Sequence, residues 1–333
     1  MVDNRVKNRR ILITGGAGFI GSNLIEPFLE NGNQVVVLDN FITGKKENIA
    51  RFFGRKGFSF IEGNLLDMAV CRKAVDGIDY VLHQAALGAI PRSINDPMTM
   101  TQINICGFVN MLFAAKEAGI KRLVYASSSS VYGDSKILPK EESVIGKPLN
   151  PYAITKYANE LFAGNFYSLY GIETIGLRYF NVFGPNQDIN GAYAAVIPKF
   201  AYSLIRHEAP QINGDGSYSR DFTYIDNIVE ANLLAVSAKD PLAVNQVYNI
   251  AAGKRTTIIE LFEMLKVELA QYDPYIAGIK PRFREIRPGD IPHSAASIEK
   301  AQKLLGYFPK VDIMAGIRKT VPFWLAQAKE RAR

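Results

Sequence analysis

Short apolar runs of strand length alternate with longer stretches of helical periodicity through the first half of the chain. The strand-like runs occupy residues 10–14, 34–38, 58–61, 80–82, 122–126 and 174–178. Amphipathic stretches at about 19–30, 98–119, 151–170 and 193–207 lie between or after them. This alternation predicts a parallel sheet covered by helices on both faces, in which ligands bind beyond the carboxyl ends of the strands.

The pattern loosens past about residue 182, where Pro, Gly and Asn interrupt it more often. We interpret this part as a smaller mixed α/β C-terminal lobe that binds substrate. A further apolar run at 247–250 predicts a return of the chain to the first unit. The predicted division is therefore 1–182 with about 221–250 for a dinucleotide-binding domain, and 183–220 with 251–333 for the substrate lobe.

A glycine-rich turn, ITGGAGFIGS at 13–22, connects the first strand pattern to the first helix pattern. Gly15 permits a tight turn, Gly18 permits approach of phosphates to the backbone, and Gly21 permits close packing of helix on sheet. Asp39 ends the second strand pattern roughly 20 residues later, where a carboxylate accepts hydrogen bonds from a ribose. The combination predicts a Rossmann-type domain that binds NAD, since Asp39 repels the 2′-phosphate of NADP.

The composition is that of an ordinary globular protein, with 48% hydrophobic and 21% charged residues in 333. The net charge is +7, but Lys and Arg are spread along the chain, which disfavours a nucleic-acid-binding role. Cys71 and Cys106 are too few for a disulfide framework, and His83, His207 and His293 have no metal-ligand spacing.

The sequence also indicates a location. The polar, basic first ten residues are followed by an apolar run that ends at Gly15, which is too short for the core of a signal peptide. No stretch approaches ~18 uninterrupted apolar residues, so we expect no membrane span. We expect a cytoplasmic protein.

Tyr152 and Lys156 are four residues apart at the start of a helical stretch, so their side chains share one face. A free tyrosine, with a pKa near ~10, is a poor base at neutral pH. An adjacent ammonium and the positive nicotinamide ring of NAD would stabilise the phenolate. We therefore predict that Lys156 and the nicotinamide ring together lower the pKa of Tyr152.

The run Ser127–Ser130 before Val-Tyr-Gly completes a set of motifs. The glycine turn, Asp39, the serine run and the Tyr152/Lys156 pair, in this order, resemble the extended short-chain dehydrogenase/reductase family over essentially the whole chain. The resemblance implies Ser128 as the catalytic serine, Tyr152 as the base, and Lys156 as the residue that holds the nicotinamide ribose.

The resemblance also implies two sets of binding residues. The implied NAD contacts are Gly15, Gly18, Phe19, Ile20, Gly21, Asp39, Asn40, Asn64, Leu65, Ala85, Ala86, Asn104, Tyr152, Lys156 and Tyr179. The implied nucleotide-sugar contacts are Gly88, Ala89, Ser128, Ser129, Ser130, Tyr152, Asn181, Ala195, Val196, Asn213, Arg220, Arg287, Asp290 and Ser294. Two positions depart from the similar enzymes: Ala89 stands where a serine is common, and Asn64 replaces an aspartate near adenine.

The serine run discriminates among reactions. Similar 4,6-dehydratases carry an Asp-Glu pair after the catalytic hydroxyl, whereas this chain has Ser129 and Ser130. Without a second acid and base, an oxidised sugar has little chemistry available except reduction again. The resemblance therefore implies oxidation at C4, rotation of the 4-keto sugar and hydride return to the other face, which is C4 epimerisation.

Ser294 stands where UDP-galactose 4-epimerases resembling this chain have a tyrosine beside C2 of the sugar, so it leaves room for an N-acetyl group. The segments 86–97 and 190–200 also resemble UDP-N-acetylglucosamine 4-epimerases. We expect conversion of UDP-GlcNAc to UDP-GalNAc by a homodimer; UDP-glucose or UDP-glucuronate as substrate, and a non-catalytic NAD sensor, remain the alternatives.

Overall fold

The computed structural model describes residues 5–188, 195–286 and 291–331. Its strands are β1 Arg10–Thr14, β2 Gln34–Asp39, β3 Phe58–Glu62, β4 Tyr80–His83, β5 Arg122–Ser128, β6 Glu173–Tyr179, β7 Val182–Phe183, β8 Gln211–Asn213, β9 Ser219–Arg220, β10 Thr223–Tyr224, β11 Gln246–Ile250, β12 Thr256–Thr257 and β13 Arg282–Arg284. Its α-helices are α1 Phe19–Glu30, α2 Met68–Ala74, α3 Ile90–Asn95, α4 Pro97–Thr101, α5 Gly107–Glu117, α6 Pro151–Tyr170, α7 Val196–Ile205, α8 Ile225–Ser237, α9 Ile258–Ala270, α10 Glu299–Leu305 and α11 Ile313–Arg331.

Seven strands form one parallel sheet in the order β11-β6-β5-β4-β1-β2-β3. This is a doubly wound α/β sheet of Rossmann type, as the alternating pattern predicts. The direction of winding reverses between β1 and β4, and the reversal leaves a crevice beyond the carboxyl ends of these two strands. The glycine turn after β1 and the segment after β4 both lie at this crevice.

Alternate side chains of each central strand enter two different cores. In β1, Ile11 and Ile13 belong to a core that continues into the C-terminal lobe, whereas Leu12 belongs to a second core on the opposite face. The second core packs the sheet against α2 and α5. Both faces of the sheet are covered, so the strand sequences are nearly continuous apolar runs and do not alternate apolar with polar residues.

The stretch predicted as one helix at about 98–119 is interrupted. The chain forms α4, then a π-helical segment at Gln102–Cys106, and then α5. Within the π segment Asn104 is 1% exposed and accepts a hydrogen bond from the backbone N–H of Leu87, at 2.8 Å. The extra residue in the turn places this amide against the segment that follows β4, a position π segments often have near functional sites.

The segment Pro97–Glu117 also has the length and composition of a membrane span, and 44% of its most apolar window is buried inside the fold. It packs against α2 and α6 of the same chain. A half-buried apolar helix with such neighbours is the packing of a globular core, so the described residues contain no clear membrane span.

The smaller lobe carries short strand pairs, β8 with β13 and β9 with β12, and the helices α7, α9 and α11. It is joined to the sheet by Asp221, whose side chain is fully buried. The Asp221 carboxyl accepts hydrogen bonds from the backbone N–H groups of Ala252 and Gly253 at 2.9 and 3.1 Å, just after β11. Burial raises the pKa of Asp221 to about 7, and these backbone donors oppose that rise.

We expect Asp221→Asn to lower the free energy of unfolding by about 1–3 kcal/mol, because an amide NH₂ group would face a backbone donor that then has no acceptor. Urea unfolding followed by circular dichroism measures the loss. Asp215→Asn is the matched control, since the Asp215 carboxylate bonds the Ser217 N–H in an exposed turn. An equal loss in both variants would contradict the assigned role of Asp221.

Candidate active site

The glycine turn leaves no space for side chains. Gly15 has φ of +67°, and a Cβ atom there would lie 2.6 Å from the Cα atom of Ala85. A Cβ atom at Gly21 would lie 2.3 Å from the carbonyl oxygen of Gly15. α1 begins at Phe19, and the residue before it, Gly18, provides no side-chain cap. The N–H groups of the first turn of α1 are therefore available to an anion such as a pyrophosphate.

Asp39 ends β2 with its carboxylate held in place from two sides. The backbone N–H groups of Ala17 and Phe41 donate to its two oxygens at 2.9 and 2.8 Å. Burial raises the pKa of Asp39, and these backbone hydrogen bonds oppose the rise. The geometry presents a fixed acceptor at the end of β2, where a ribose hydroxyl of a dinucleotide binds.

A single cleft collects most of the predicted NAD residues. It is lined by Gly15, Gly18, Phe19, Ile20, Gly21, Leu38, Asp39, Asn40, Ile42, Thr43, Asn64, Leu65, Gln84, Ala85, Ala86, Gly88 and Ile103. Leu38, Ile42, Thr43, Gln84 and Ile103 were missed from the sequence. Four of them lie at or just after the carboxyl ends of β2 and β4, a position from which the sequence could have predicted them. Ile103 lies in the π segment, and no sequence pattern predicted that segment.

Asn104 and Tyr179 lie beside this cleft and do not line it. Asn104 donates to the carbonyl oxygen of Leu87 at 3.0 Å and so fixes the segment that carries Ala85 and Ala86. The Tyr179 hydroxyl donates to Gln84 at 3.2 Å and accepts from Asn232 at 2.9 Å. The structure gives both residues a supporting place behind the lining residues.

Ser128, Tyr152 and Lys156 lie together where β5 meets α6. Lys156 is 3% exposed, and its ammonium donates to the carbonyl oxygen of Ala126 at 2.8 Å. The same ammonium lies 6.0 Å from the centre of the Tyr152 ring. Ser128 is hydrogen-bonded to Tyr152. Ser130 donates to the Ser128 hydroxyl oxygen through its N–H at 3.1 Å and its hydroxyl at 2.9 Å, which leaves the Ser128 proton for Tyr152.

The prediction that Lys156 and the nicotinamide ring together lower the pKa of Tyr152 concerns the NAD-bound enzyme and stays a prediction. Burial raises the pKa of Tyr152, and only the hydrogen bond with Ser128 opposes it. Burial also lowers the pKa of Lys156, to about 8, despite the nearby Glu160 carboxylate. The ammonium is directed at a carbonyl oxygen rather than at the phenol, so desolvation outweighs the favourable charge.

The predicted sugar-nucleotide residues come from several segments of the chain. Asn181 has φ of +36° and donates to the carbonyl oxygen of Asp221 at 2.9 Å. Arg220 donates to the carbonyl oxygens of Ser219 and Pro292 at 2.9 and 3.1 Å, which places it beside the segment that leads to Ser294.

The remaining predicted positions are more scattered. Gly88 lies at the cleft, and Ala89 follows it with φ of +78° at the start of α3. Ala195 and Val196 begin α7, Asn213 ends β8, and Ser129 and Ser130 form the turn after β5. The predicted contacts Arg287 and Asp290 lie outside the described residues.

Comparisons with known proteins agree with this fold and cleft. A model of the NAD dependent epimerase/dehydratase family matches residues 11–251. A solved UDP-N-acetylglucosamine 4-epimerase from Methanobrevibacter ruminantium, in complex with UDP-N-acetylmuramic acid, is 37% identical with a TM-score of 0.90, over 97% of this chain and 100% of that one. A UDP-glucose 4-epimerase from Thermotoga maritima with UDP-glucose is 35% identical with a TM-score of 0.87, over 96% and 99%. A UDP-glucose 4-epimerase from Mycolicibacterium smegmatis is 32% identical over 95% of this chain and 98% of its own length.

The doubly wound sheet, the glycine turn and the buried acid at the end of β2 together define a dinucleotide-binding enzyme of the short-chain dehydrogenase/reductase class. The chain belongs to the NAD-dependent epimerase/dehydratase family within that class. Its cofactor is NAD, which fits the crowded turn at Gly15 and the fixed carboxylate of Asp39.

We expect Asp39→Asn to reduce the preference for NAD over NADP about tenfold or more, which is ~1.4 kcal/mol, because it removes the charge that repels a 2′-phosphate. Calorimetric titration of both cofactors measures the ratio of dissociation constants. Glu62→Gln is the matched control, since Glu62 pairs with Asp39 at the end of the adjacent strand but is exposed and does not line the cleft. An unchanged ratio in Asp39→Asn would refute the role assigned to this carboxylate.

Proposed function

We propose that this protein is a UDP-sugar 4-epimerase that converts UDP-GlcNAc to UDP-GalNAc through a transient 4-keto sugar. The observation that carries the proposal is the cluster of Ser128, Tyr152 and Lys156 at the carboxyl end of β5, in the same parallel sheet that carries the dinucleotide cleft. The hydroxyl residues Ser129 and Ser130 beside this cluster stand where a dehydration would need a further acid and base.

Each residue has a role that its surroundings support. Bound NAD supplies reversible hydride acceptance from C4 of the sugar. Tyr152 takes the proton of the 4-hydroxyl, directly or through Ser128, and returns it when the sugar is reduced. The Ser128 hydroxyl donates a hydrogen bond to the phenolic oxygen of Tyr152 and so stabilises the phenolate. Lys156 contributes a positive charge and a donor for the nicotinamide ribose.

Epimerisation also requires an anchored nucleotide and a loosely held sugar, since the 4-keto sugar must rotate before it is reduced. Interactions at the diphosphate hold the substrate through this rotation, which favours guanidinium partners such as Arg220. Arg287 and Asp290 are proposed contacts for the diphosphate and the uridine ribose by family resemblance.

The choice of sugar rests on Ser294. Its N–H donates to the carbonyl oxygen of Ser219 at 3.0 Å, next to Arg220, so its backbone is anchored beside a proposed diphosphate contact. A small side chain there leaves space at C2 for an acetamido group. The similar structures include a UDP-N-acetylglucosamine 4-epimerase at 37% identity and a UDP-glucose 4-epimerase at 35%, so the choice between the two sugars depends on Ser294.

UDP-glucose and UDP-glucuronate are the competing substrates, because their 4-epimerisation needs the same catalytic cluster. A non-catalytic NAD sensor is disfavoured, since such a protein has no need of both Tyr152 and Lys156.

Proton NMR of UDP-GlcNAc, UDP-glucose and UDP-glucuronate, each incubated with purified protein and no added NAD, tests the proposal through the anomeric signals of the C4 epimers. We expect UDP-GalNAc to form fastest, with retained NAD recycled at each turnover. Faster conversion of another sugar would reassign the substrate. No conversion of any sugar, even with NAD supplied, would refute the epimerase activity.

We expect Ser294→Tyr to lower kcat/KM for UDP-GlcNAc at least about tenfold, or ~1.4 kcal/mol, while UDP-glucose turnover persists, because the ring would fill the space of the acetamido group. The same NMR assay measures both sugars. Ser294→Ala is the control and should leave both rates near those of the wild type. Equal losses for both sugars in Ser294→Tyr would place the residue away from C2.

A homodimer, located in the cytoplasm, is also proposed. Helix α6 packs on α3, α4 and α5, yet its outer face is apolar. Ile154 and Leu161, seven residues apart on that face, are 53% and 58% exposed, and Met98 of the adjacent α4 is 70% exposed. Several exposed apolar side chains on neighbouring helices are typical of a protein interface.

We expect the double variant Ile154→Glu, Leu161→Glu to be a monomer, since dimerisation would bury both charges without partners. Light scattering after size exclusion should give twice 36.9 kDa for the wild type and 36.9 kDa for the variant. Val267→Glu, at a comparably exposed apolar residue of α9, should remain dimeric. A monomeric wild type would refute the proposal.

A further inference from the structure

Helix α6 presents three residues at successive four-residue intervals to the end of β5. Tyr152 is hydrogen-bonded to Ser128, and Lys156 donates to the carbonyl oxygen of Ala126. Glu160, one turn further, accepts a hydrogen bond from the hydroxyl of Ser127. The helix therefore contacts three consecutive residues of the strand, and the third contact belongs to a residue outside the predicted Tyr-x-x-x-Lys pair.

Glu160 is also one half of a buried ion pair. Arg178 of β6 donates to its two carboxylate oxygens through Nε at 2.9 Å and Nη2 at 2.8 Å. The side chains of Glu160 and Arg178 are only 6% and 4% exposed. Arg178 is the register partner of Ser127 across the β5–β6 ladder, so the ion pair and the serine hydrogen bond form one compact cluster.

The Glu160 carboxylate acts on the charge of Lys156. Burial depresses the pKa of Lys156 to about 8, and the Glu160 carboxylate is the group that opposes this depression. His83 also faces the ammonium but is neutral, because burial lowers its pKa to about 3. Without Glu160, the named neighbours of Lys156 would contribute no negative charge.

The ion pair is itself surrounded by polar groups on other elements. Arg178 donates to the carbonyl oxygen of Glu142 at 3.1 Å and lies 4.8 Å from the centre of the Tyr132 ring. Lys300 of α10 interacts with the charges of Glu142, Arg178 and Glu160. These groups fix the orientation of Arg178 and therefore that of Glu160.

We propose that Glu160 is a positioning residue of the active site, which fixes the Ser127–Ser128 end of β5 against α6 and keeps Lys156 in its charged form. The proposal rests on the proposed function, in which Tyr152 is the base and the Lys156 ammonium stabilises its phenolate. Arg178 supports this role, because it holds the Glu160 carboxylate in one orientation and balances its negative charge.

The proposal predicts a change in pH dependence. Lys156 must be protonated to stabilise the Tyr152 phenolate, so activity falls as pH rises through the Lys156 pKa. In Glu160→Gln that pKa decreases, and the alkaline limb of the kcat profile should move down by about one pH unit or more, as expected for loss of a nearby opposite charge. A purely structural role would lower kcat without moving the limb.

Two controls separate charge from packing. Ser127→Ala removes the hydrogen bond to Glu160 without changing any charge, and it should lower kcat without moving the alkaline limb. Glu173→Gln removes a carboxylate from a second arginine pair on the same two strands, where Arg122 and Glu173 are also register partners. That pair lies at the opposite ends of β5 and β6, so its loss should change neither kcat nor the limb.

Glu160→Gln leaves the buried Arg178 without its partner and could unfold the protein. The double variant Glu160→Gln, Arg178→Gln removes both charges of the ion pair and leaves neither of them unpaired, and the downward shift of the limb should be present there too. An alkaline limb that stays in place in every folded variant lacking the Glu160 carboxylate would overturn the proposal.

A second measurement does not depend on turnover. NMR titration of the ¹⁵N-lysine-labelled protein, corrected with its Lys156→Met counterpart, gives the ionisation of Lys156 alone. We expect the Lys156 pKa to be lower in Glu160→Gln than in the wild type, and unchanged in Glu173→Gln. If the wild type converts no sugar, the proposed function fails while this titration still decides the role of Glu160; an unchanged Lys156 pKa would refute that role.

Discussion

The contact between the glycine turn and the segment after β4 is the constraint on which the cofactor cleft depends. The backbone of Gly15 approaches Ala85 so closely that even a methyl group has no space, and Gly21 packs against Gly15 in the same way. These two contacts fix where α1 starts and direct its free N–H groups toward the crevice between β1 and β4. Because Asp39 is then bonded to the N–H of Ala17, the same turn also positions the ribose acceptor.

The sequence allowed prediction of those parts of the fold that depend on local chemistry. Apolar runs of strand length identified the parallel sheet, because strands buried on both faces carry few polar residues. The glycine spacing and Asp39 identified the cofactor, and the serine run with Tyr152 and Lys156 predicted a proposed catalytic cluster whose members lie together at the end of β5. Each of these features could be predicted because it depends on a few residues that lie close together in the sequence.

Features that depend on tertiary environment were not predictable in this way. Asn104 of the π segment is hydrogen-bonded to the backbone of Leu87, a contact across 17 positions of sequence that no local pattern reports. The raised pKa of Tyr152 follows from burial, which the Tyr-x-x-x-Lys spacing does not report. Glu160 was also missed, since its importance becomes visible only when Ser127 and Arg178 of two different strands converge on it.

The direction of the Tyr152 pKa has a mechanistic consequence. A phenol whose pKa is raised by burial is a poor base, and its hydrogen bond from Ser128 offers only partial compensation. The missing stabilisation must come from positive charge close to the phenolic oxygen, which Lys156 supplies only while it stays protonated. The oxidised nicotinamide ring adds a second positive charge when NAD is bound. In the proposed mechanism, base strength is thereby linked to cofactor occupancy, and Tyr152 becomes an effective base when an acceptor for the hydride is present.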